Sequence, residues 1–193
     1  MSSSPFYTVS FTGPFGFIKP WTAVRDDQTY SQQFLTPSIV EGMRQKLEVS
    51  AIERHRITHR GFSQQQEVTQ SAGYNKRVIK SRGEVTYKRP TSILTRGVML
   101  HPVLTLAFPT MEDARAAHRQ HLCLCRNEDV VYPSGDIQAM SVSEFDELRG
   151  FELKFGRGPD AFMVGYNRFE KGAAMYGTLT VTGDPVESTP VTP

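Results

Sequence analysis

The chain has 193 residues, 38% apolar, 10% aromatic and 22% charged, which is the composition of a globular domain and excludes a disordered, fibrous or collagen-like chain. That length accommodates one domain elaborated by a hairpin or long loop, with enough core to fold without staples. The net charge of +2 conceals a strong asymmetry: between Glu53 and Arg96 ten basic side chains stand against three acidic ones, a surplus of seven, so the remainder carries a net of −5. A basic stretch on a mildly acidic body points to a polyanion partner, the competing reading being that these side chains solvate exposed strands and loops.

The only cysteines, Cys123 and Cys125, are one residue apart, so no disulfide framework is available. No window approaches 18 consecutive apolar residues, and Met1 to Pro5 lacks the basic-then-apolar pattern of a secretory signal. The expectation is a cytoplasmic protein with no membrane association.

In chain order, Phe6 to Thr12 alternates as a half-buried strand, with Tyr7, Val9 and Phe11 on one face. Gly13-Pro14 ends it, and the polar run Arg25 to Gln33 reads as a loop. A helix is predicted from about Pro37 to Val49: Ile39, Val40, Met43 and Leu47 share a stripe, Pro37 suits the first helical position, and Ser38 is spaced from Glu41 as in a capping box. Ile52 to His59 and Val85 to Tyr87 read as strands, with a projecting basic hairpin between them. The apolar stretch Ile93 to Phe108 is assigned to the central sheet, Pro102 marking a bulge or an edge. Thr110 opens a second helix through His118, and Leu122 to Leu124 is a strand. Ser141 with Glu144 forms a capping box for a short third helix ended by Gly150. Short strands follow at Phe151–Phe155, Ala161–Tyr166 and Met175–Thr182. Residues 1–183 thus read as a single domain with a basic insertion at about 53–96, and residues 184–193 as a disordered tail. The order strand, helix, several strands, helix, strand gives an α+β class of ferredoxin-like (RRM-like) type.

The candidate RNA-binding residues are Arg54, Arg56, Arg60, Lys76, Arg77, Lys80, Arg82, Lys88 and Arg89, with Phe62 and Tyr74 as stacking rings, because cations follow phosphates while rings stack on unpaired bases. His55, His59 and His101 are candidate general bases for attack of an RNA 2′-hydroxyl on its phosphate, with neighbouring arginines to stabilise the developing charge. The competing reading makes them phosphate contacts or surface residues. His118, His121, Cys123 and Cys125 are ligand-type residues, but a helical His pair running straight into Cys-x-Cys does not converge easily. No metal and no other cofactor is expected, and the cysteines read as small core residues on one strand face.

The first strand ending in Phe11-Thr-Gly-Pro14, the polar loop, and then Leu35-Thr-Pro-Ser38 followed by Gly42-Met43 resemble the RAMP superfamily of CRISPR proteins. More narrowly they are similar to its fifth Cas family, the Cascade subunit that holds the 5′ handle of CRISPR RNA. Leu94-Thr-Arg-Gly-Val-Met-Leu100 and Leu104-Thr-Leu-Ala-Phe108 are similar to that family's arginine-led strand. The resemblance spans residues 6 to 108. It implies a ferredoxin-like RAMP body whose inserted β-hairpin thumb presses on the guide RNA and contacts the backbone filament of the ribonucleoprotein complex. The implied partners are CRISPR RNA, the backbone and large subunits and, indirectly, target DNA, in the service of antiviral defence. One branch of the family cuts precursor RNA with a Tyr, Lys and His set that has no assignable counterpart here. The alternatives are a metal-independent endoribonuclease of the same superfamily, using His55 or His59, and a phage or assembly protein whose basic hairpin docks on an acidic partner.

Overall fold

A computed structural model describes residues 5–22, 28–70, 73–79 and 83–187. The elements in chain order are β1 (Phe6–Thr12), β2 (Phe15–Gly16), β3 (Gln28–Tyr30), α1 (Pro37–Leu47), β4 (Arg54–Thr58), β5 (Phe62–Thr69), β6 (Asn75–Ile79), β7 (Glu84–Lys88), β8 (Ser92–Leu100) and β9 (Val103–Phe108). They continue with α2 (Met111–Ala117), β10 (Leu122–Cys123), β11 (Val130–Met140), α3 (Val142–Glu147), β12 (Gly150–Phe155), β13 (Phe162–Asn167) and β14 (Ala173–Thr182). The class is α+β. The main sheet has the order β10-β11-β1-β9-β4-β12-β14-β13, and every pairing within it is antiparallel. Two helices bridge non-adjacent strands of its centre: α1 leads from β1 to β4, and α2 leads from β9 to β11.

Alternation explains how this sheet acquires a core. Val9 and Phe11 of β1, Ile57 of β4, and Leu104, Leu106 and Phe108 of β9 are all at most 1% exposed, and they pack in one cluster with Val40, Met43 and Leu47 of α1 and Ala114 and Ala117 of α2. Burying each large side chain of this set stabilises the fold by about 1.5–3 kcal/mol. Asp113 ties the helices to the sheet connections, accepting from the Ser50 amide at 2.9 Å and the Ser50 hydroxyl at 2.6 Å.

Helix α1 begins one residue pair earlier than the expected capping box. Thr36 is the N-cap, its side chain accepting from the Ile39 amide, because Pro37 at the first helical position has no amide to satisfy and fixes the helical φ. Ser38 is buried instead, and Glu41 holds Arg44 at 2.8 Å. The box at Ser141 and Glu144 forms as expected.

The sheets correct several expectations, the first being the run Arg25 to Gln33, expected as a loop, which contains β3. The apolar run Ile93 to Phe108 is two strands in two sheets, broken where His101 takes φ 45° before Pro102; only β9 joins the main sheet. The longest strand, β11, which carries Pro133 and Gly135, is not among the predicted elements; its register against β1 slips between Thr8 and Ser10, and this bulge absorbs Gly135 at φ 73°. Finally, Leu122 and Leu124 take the inward positions that alternation offers, so Cys123 and Cys125 are exposed rather than core.

The insertion between β4 and β9 is a long hairpin. β5 and β8 pair without interruption from Phe62 opposite Met99 to Thr69 opposite Ser92, and β8 is flanked further by β2 and β3. Beyond them β6 and β7 pair only with each other, from Asn75 opposite Lys88 to Ile79 opposite Glu84. The described start of the expected tail is tied down: the His59 amide donates to Pro185 O, the Glu187 amide donates to His59 O, and Glu187 forms ion pairs with Arg60 and Arg149. Among the described residues no helix is long and apolar enough to cross a membrane.

Candidate nucleic-acid interface

The basic segment divides into a root, a middle and a tip, and only the outer parts present charge to a partner. At the root, β4 lies between β9 and β12, so both of its edges are paired, and His55, Arg56 and Ile57 within it are buried. Arg54 and Arg56 converge on Glu152 of β12, with Arg54 also reaching Asp146 at 2.8 Å. Both guanidinium groups lie over the buried Phe145 ring, at 4.9 and 5.7 Å from its centroid. Arg56 is 2% exposed and donates to Thr182 Oγ1 at 3.0 Å and to the Asp146 carbonyl at 3.3 Å. Burial and then the Glu152 charge act on it in opposite senses, and burial prevails, lowering its pKa. Hydrogen bonding to Glu152 outweighs burial for Arg54 and raises its pKa. Arg54 and Arg56 are therefore corrected from phosphate contacts to internal ion pairs, their charge consumed by carboxylates about a hundred residues away in sequence.

The candidate bases are corrected in the same way. His55 is 2% exposed, and its Nε2 accepts from the Leu35 and Leu153 amides, each at 3.3 Å. Burial, reinforced by Arg56 and Arg54, lowers its pKa to about 3, so it is a neutral acceptor that joins α1's approach to β12. His59 is 1% exposed and engaged by Gly61 and by Gln33 Oε1 at 3.0 Å, its pKa lowered by burial against the opposing Gly61 hydrogen bond. Neither imidazole presents a nitrogen to a 2′-hydroxyl. His101 is exposed on the strained turn, its amide bound to Pro14 O.

The middle of the insertion carries a mixed patch. Phe62, 37% exposed, meets Tyr30 edge-on at 5.7 Å and His59 at 4.8 Å. Tyr30 lies directly over Gly97, where a Cβ would sit 2.1 Å from its ring, so only glycine permits β3 to pair with β8 while its ring crosses the sheet. Gln28 and Gln64 both donate to the Tyr30 hydroxyl. Arg60 is more than half exposed but shares Glu187 at 3.4 Å. On the opposite face Arg96 is bound to Glu67 at 3.3 Å and lies over Phe17 together with Arg126.

At the tip every described residue from Gly73 to Val78 and from Gly83 to Arg89 is exposed. The register sets Lys76 beside Tyr87 and Val78 beside Val85 on one face, and Asn75 beside Lys88 and Arg77 beside Thr86 on the other. Tyr74 and Tyr87 are 69% and 65% exposed, and the Arg89 guanidinium lies 5.8 Å from the Tyr74 ring centroid. Lys76, Arg77 and Lys88 form no ion pair with a described carboxylate. Lys80 and Arg82 lie outside the described residues. A two-stranded ribbon with both faces open has no core of its own, and its stability is marginal until something covers it.

His118 Nε2 donates to Gly135 O at 2.8 Å, and His121 tilts against Tyr132. Among the described residues no group of three or more His, Cys, Asp or Glu side chains is arranged to hold a metal ion. Tyr30, exposed but far in sequence from the basic run, is the residue of the middle patch that spacing alone does not find; its one signal is the Thr-Tyr-Ser alternation before α1. No protein-family model and no curated protein matches the chain.

Proposed function

We propose that this chain is a non-catalytic RNA-binding subunit of a CRISPR effector complex of the Cascade type. It grips the 5′ end of the guide RNA with its inserted hairpin and caps the backbone filament. The observation that carries the reading is the hairpin tip, where cations and tyrosines face outward on both sides of a ribbon that nothing in the described chain covers. Cations at strand spacing beside exposed rings suit single-stranded nucleic acid, whose phosphates and bases they engage respectively.

Two further features support it. The four central strands run β11-β1-β9-β4 with α1 and α2 as crossovers, which is the strand order of a ferredoxin-like split βαβ unit. The insertion leaves between β4 and β9, where the RAMP resemblance implies a thumb. The burial of His55 and His59 favours binding over RNA cleavage. The test is purification of the tagged chain from cells carrying its genomic neighbours, followed by end-mapped sequencing of bound nucleic acid. Guide-length RNAs sharing one 5′ handle are expected. A stable protein partner with no RNA would make the hairpin an assembly element and overturn the proposal.

A further inference from the structure

A second surface, between α1 and the two edges of the main sheet, has the same chemistry in concave form. A groove of about 500 Å³ runs along α1 between the β10 segment and the β13–β14 pair. Three cations line it, Lys19, Lys46 and Arg168, and among the described residues no acidic one does. None of the three pairs with a described carboxylate; Lys46 reaches only Gln120, at 3.5 Å. In a chain whose net charge outside residues 53–96 is negative, a groove whose described charged lining is all positive is a selective feature.

The groove also holds two rings. Trp21 and Tyr166 meet edge to face at 6.0 Å with their planes at 90°, and they remain 46% and 62% exposed. The backbone seats Trp21: β13 bulges between Met163 and Gly165, and Gly165, at φ 122°, leaves room for the Trp21 side chain 3.2 Å from where a Cβ would stand. Gly42, inside α1, costs about 1 kcal/mol of helix propensity relative to alanine. Its missing side chain opens the space that the Arg168 guanidinium enters, 2.8 Å from the position of a Cβ. The fold thus holds an exposed ring against β13 and a cation against α1, each at a glycine where a larger residue would displace it.

We propose that this groove binds a nucleotide of single-stranded RNA, a base stacking on Trp21 or Tyr166 while Lys19, Lys46 and Arg168 take the flanking phosphates. The identification of the polyanion as RNA rests on the function proposed above; the groove's own charge and rings are independent of the hairpin. It is a second contact with the same strand, on a part of the molecule that shares no residue with the hairpin tip.

Trp21 is the sole tryptophan, so its emission reports on this groove alone. The experiment titrates the full chain with short unstructured RNA and follows Trp21 emission, with anisotropy of a labelled copy of that RNA measuring total binding. The same titrations are run on Lys76→Gln/Arg77→Gln/Lys88→Gln, which alters only the hairpin, and on Tyr166→Ala and Arg168→Gln, which alter only the groove. Alkylation of Cys123 and Cys125, which also line the groove, supplies a second readout. The expected result is quenching of Trp21 and slowed alkylation on RNA binding, persistence of both in the hairpin variant at saturating RNA, and at least about fivefold weaker binding in each groove variant. RNA binding by anisotropy with unchanged Trp21 emission and alkylation overturns the groove while leaving the hairpin reading intact. Absence of any RNA binding overturns both. Quenching by a protein partner and not by RNA overturns the groove's assignment to nucleic acid.

Discussion

Replacing Lys76, Arg77 and Lys88 together by glutamine removes three outward cations while keeping side-chain length and the strand pairing of the hairpin tip. All three positions are exposed, so the fold should lose no more than about 0.5 kcal/mol per site. The effect on RNA is larger and has a distinctive form. Each phosphate neutralised on a single strand contributes about −0.7 to the slope of log affinity against log salt, so three contribute about −2. Raising salt from about 50 to about 200 mM then weakens binding about 20-fold through these residues alone. The assay is fluorescence anisotropy of a labelled single-stranded RNA at four or more salt concentrations, on parent and variant. The variant's slope should be shallower by about 2. If the two slopes coincide, these cations do not touch phosphate and the hairpin's charge serves something else, whatever the absolute affinities.

Three other outcomes follow from the same structure. Tyr74→Ala should cost about 1–3 kcal/mol of RNA affinity with no change in salt slope, because stacking releases no counterions; a changed slope at unchanged low-salt affinity would contradict stacking. Glu152→Gln should destabilise the fold by about 3–5 kcal/mol in chemical denaturation, since it leaves Arg56 buried without its carboxylate, and a loss below about 1 kcal/mol would show the pair to be dispensable. Stability should also fall in acid because of His55, which stays neutral in the fold down to about 3 while the unfolded chain takes up its proton near the ordinary value of 6.5. The contribution is complete above about pH 6.5 and declines below it by up to about 1.4 kcal/mol per pH unit. His55→Gln should flatten that decline near its upper end, while His59 and, in stronger acid, hydrogen-bonded carboxylates such as Glu41 and Asp113 contribute the remainder in the same direction; an unchanged pH profile would mean His55 is protonated in the fold.

Much of the fold was legible because local rules and burial agreed. Val9 and Phe11 alternate in β1 as they do in the core, and Pro37 and Ser141 mark helix starts that form. The misread places have long-range causes. β11 escapes sequence reading because Gly135 serves a bulge that exists only against β1, and the break at His101 separates two sheets that a single apolar run cannot distinguish. The candidate interface was legible as a surplus of charge but not as a surface. Arg54 and Lys76 are equivalent in composition. What separates them is Glu152, which the strand order brings beside β4 and which no spacing rule near residue 54 reveals. Trp21 and Tyr166 likewise meet across 145 positions, and only the bulge at Gly165 brings them together.

The hairpin's attachment separates its reach from the stability of the rest. Its root is anchored by β2, β3, and the Glu187 ion pairs, whereas β6 and β7 touch the main sheet nowhere in their pairing. The first ladder ends at Thr69 opposite Ser92 and the second begins at Asn75 opposite Lys88, so five positions separate them along one side and three along the other, and the distal ribbon has its own register. Adding or removing residue pairs beyond this break changes the extension by about 3.3 Å each, with only a small change in loop-closure entropy. The tip is in effect a gauge whose length can be reset without renegotiating the core, so the distance from body to partner is free to drift while the eight-stranded sheet stays fixed.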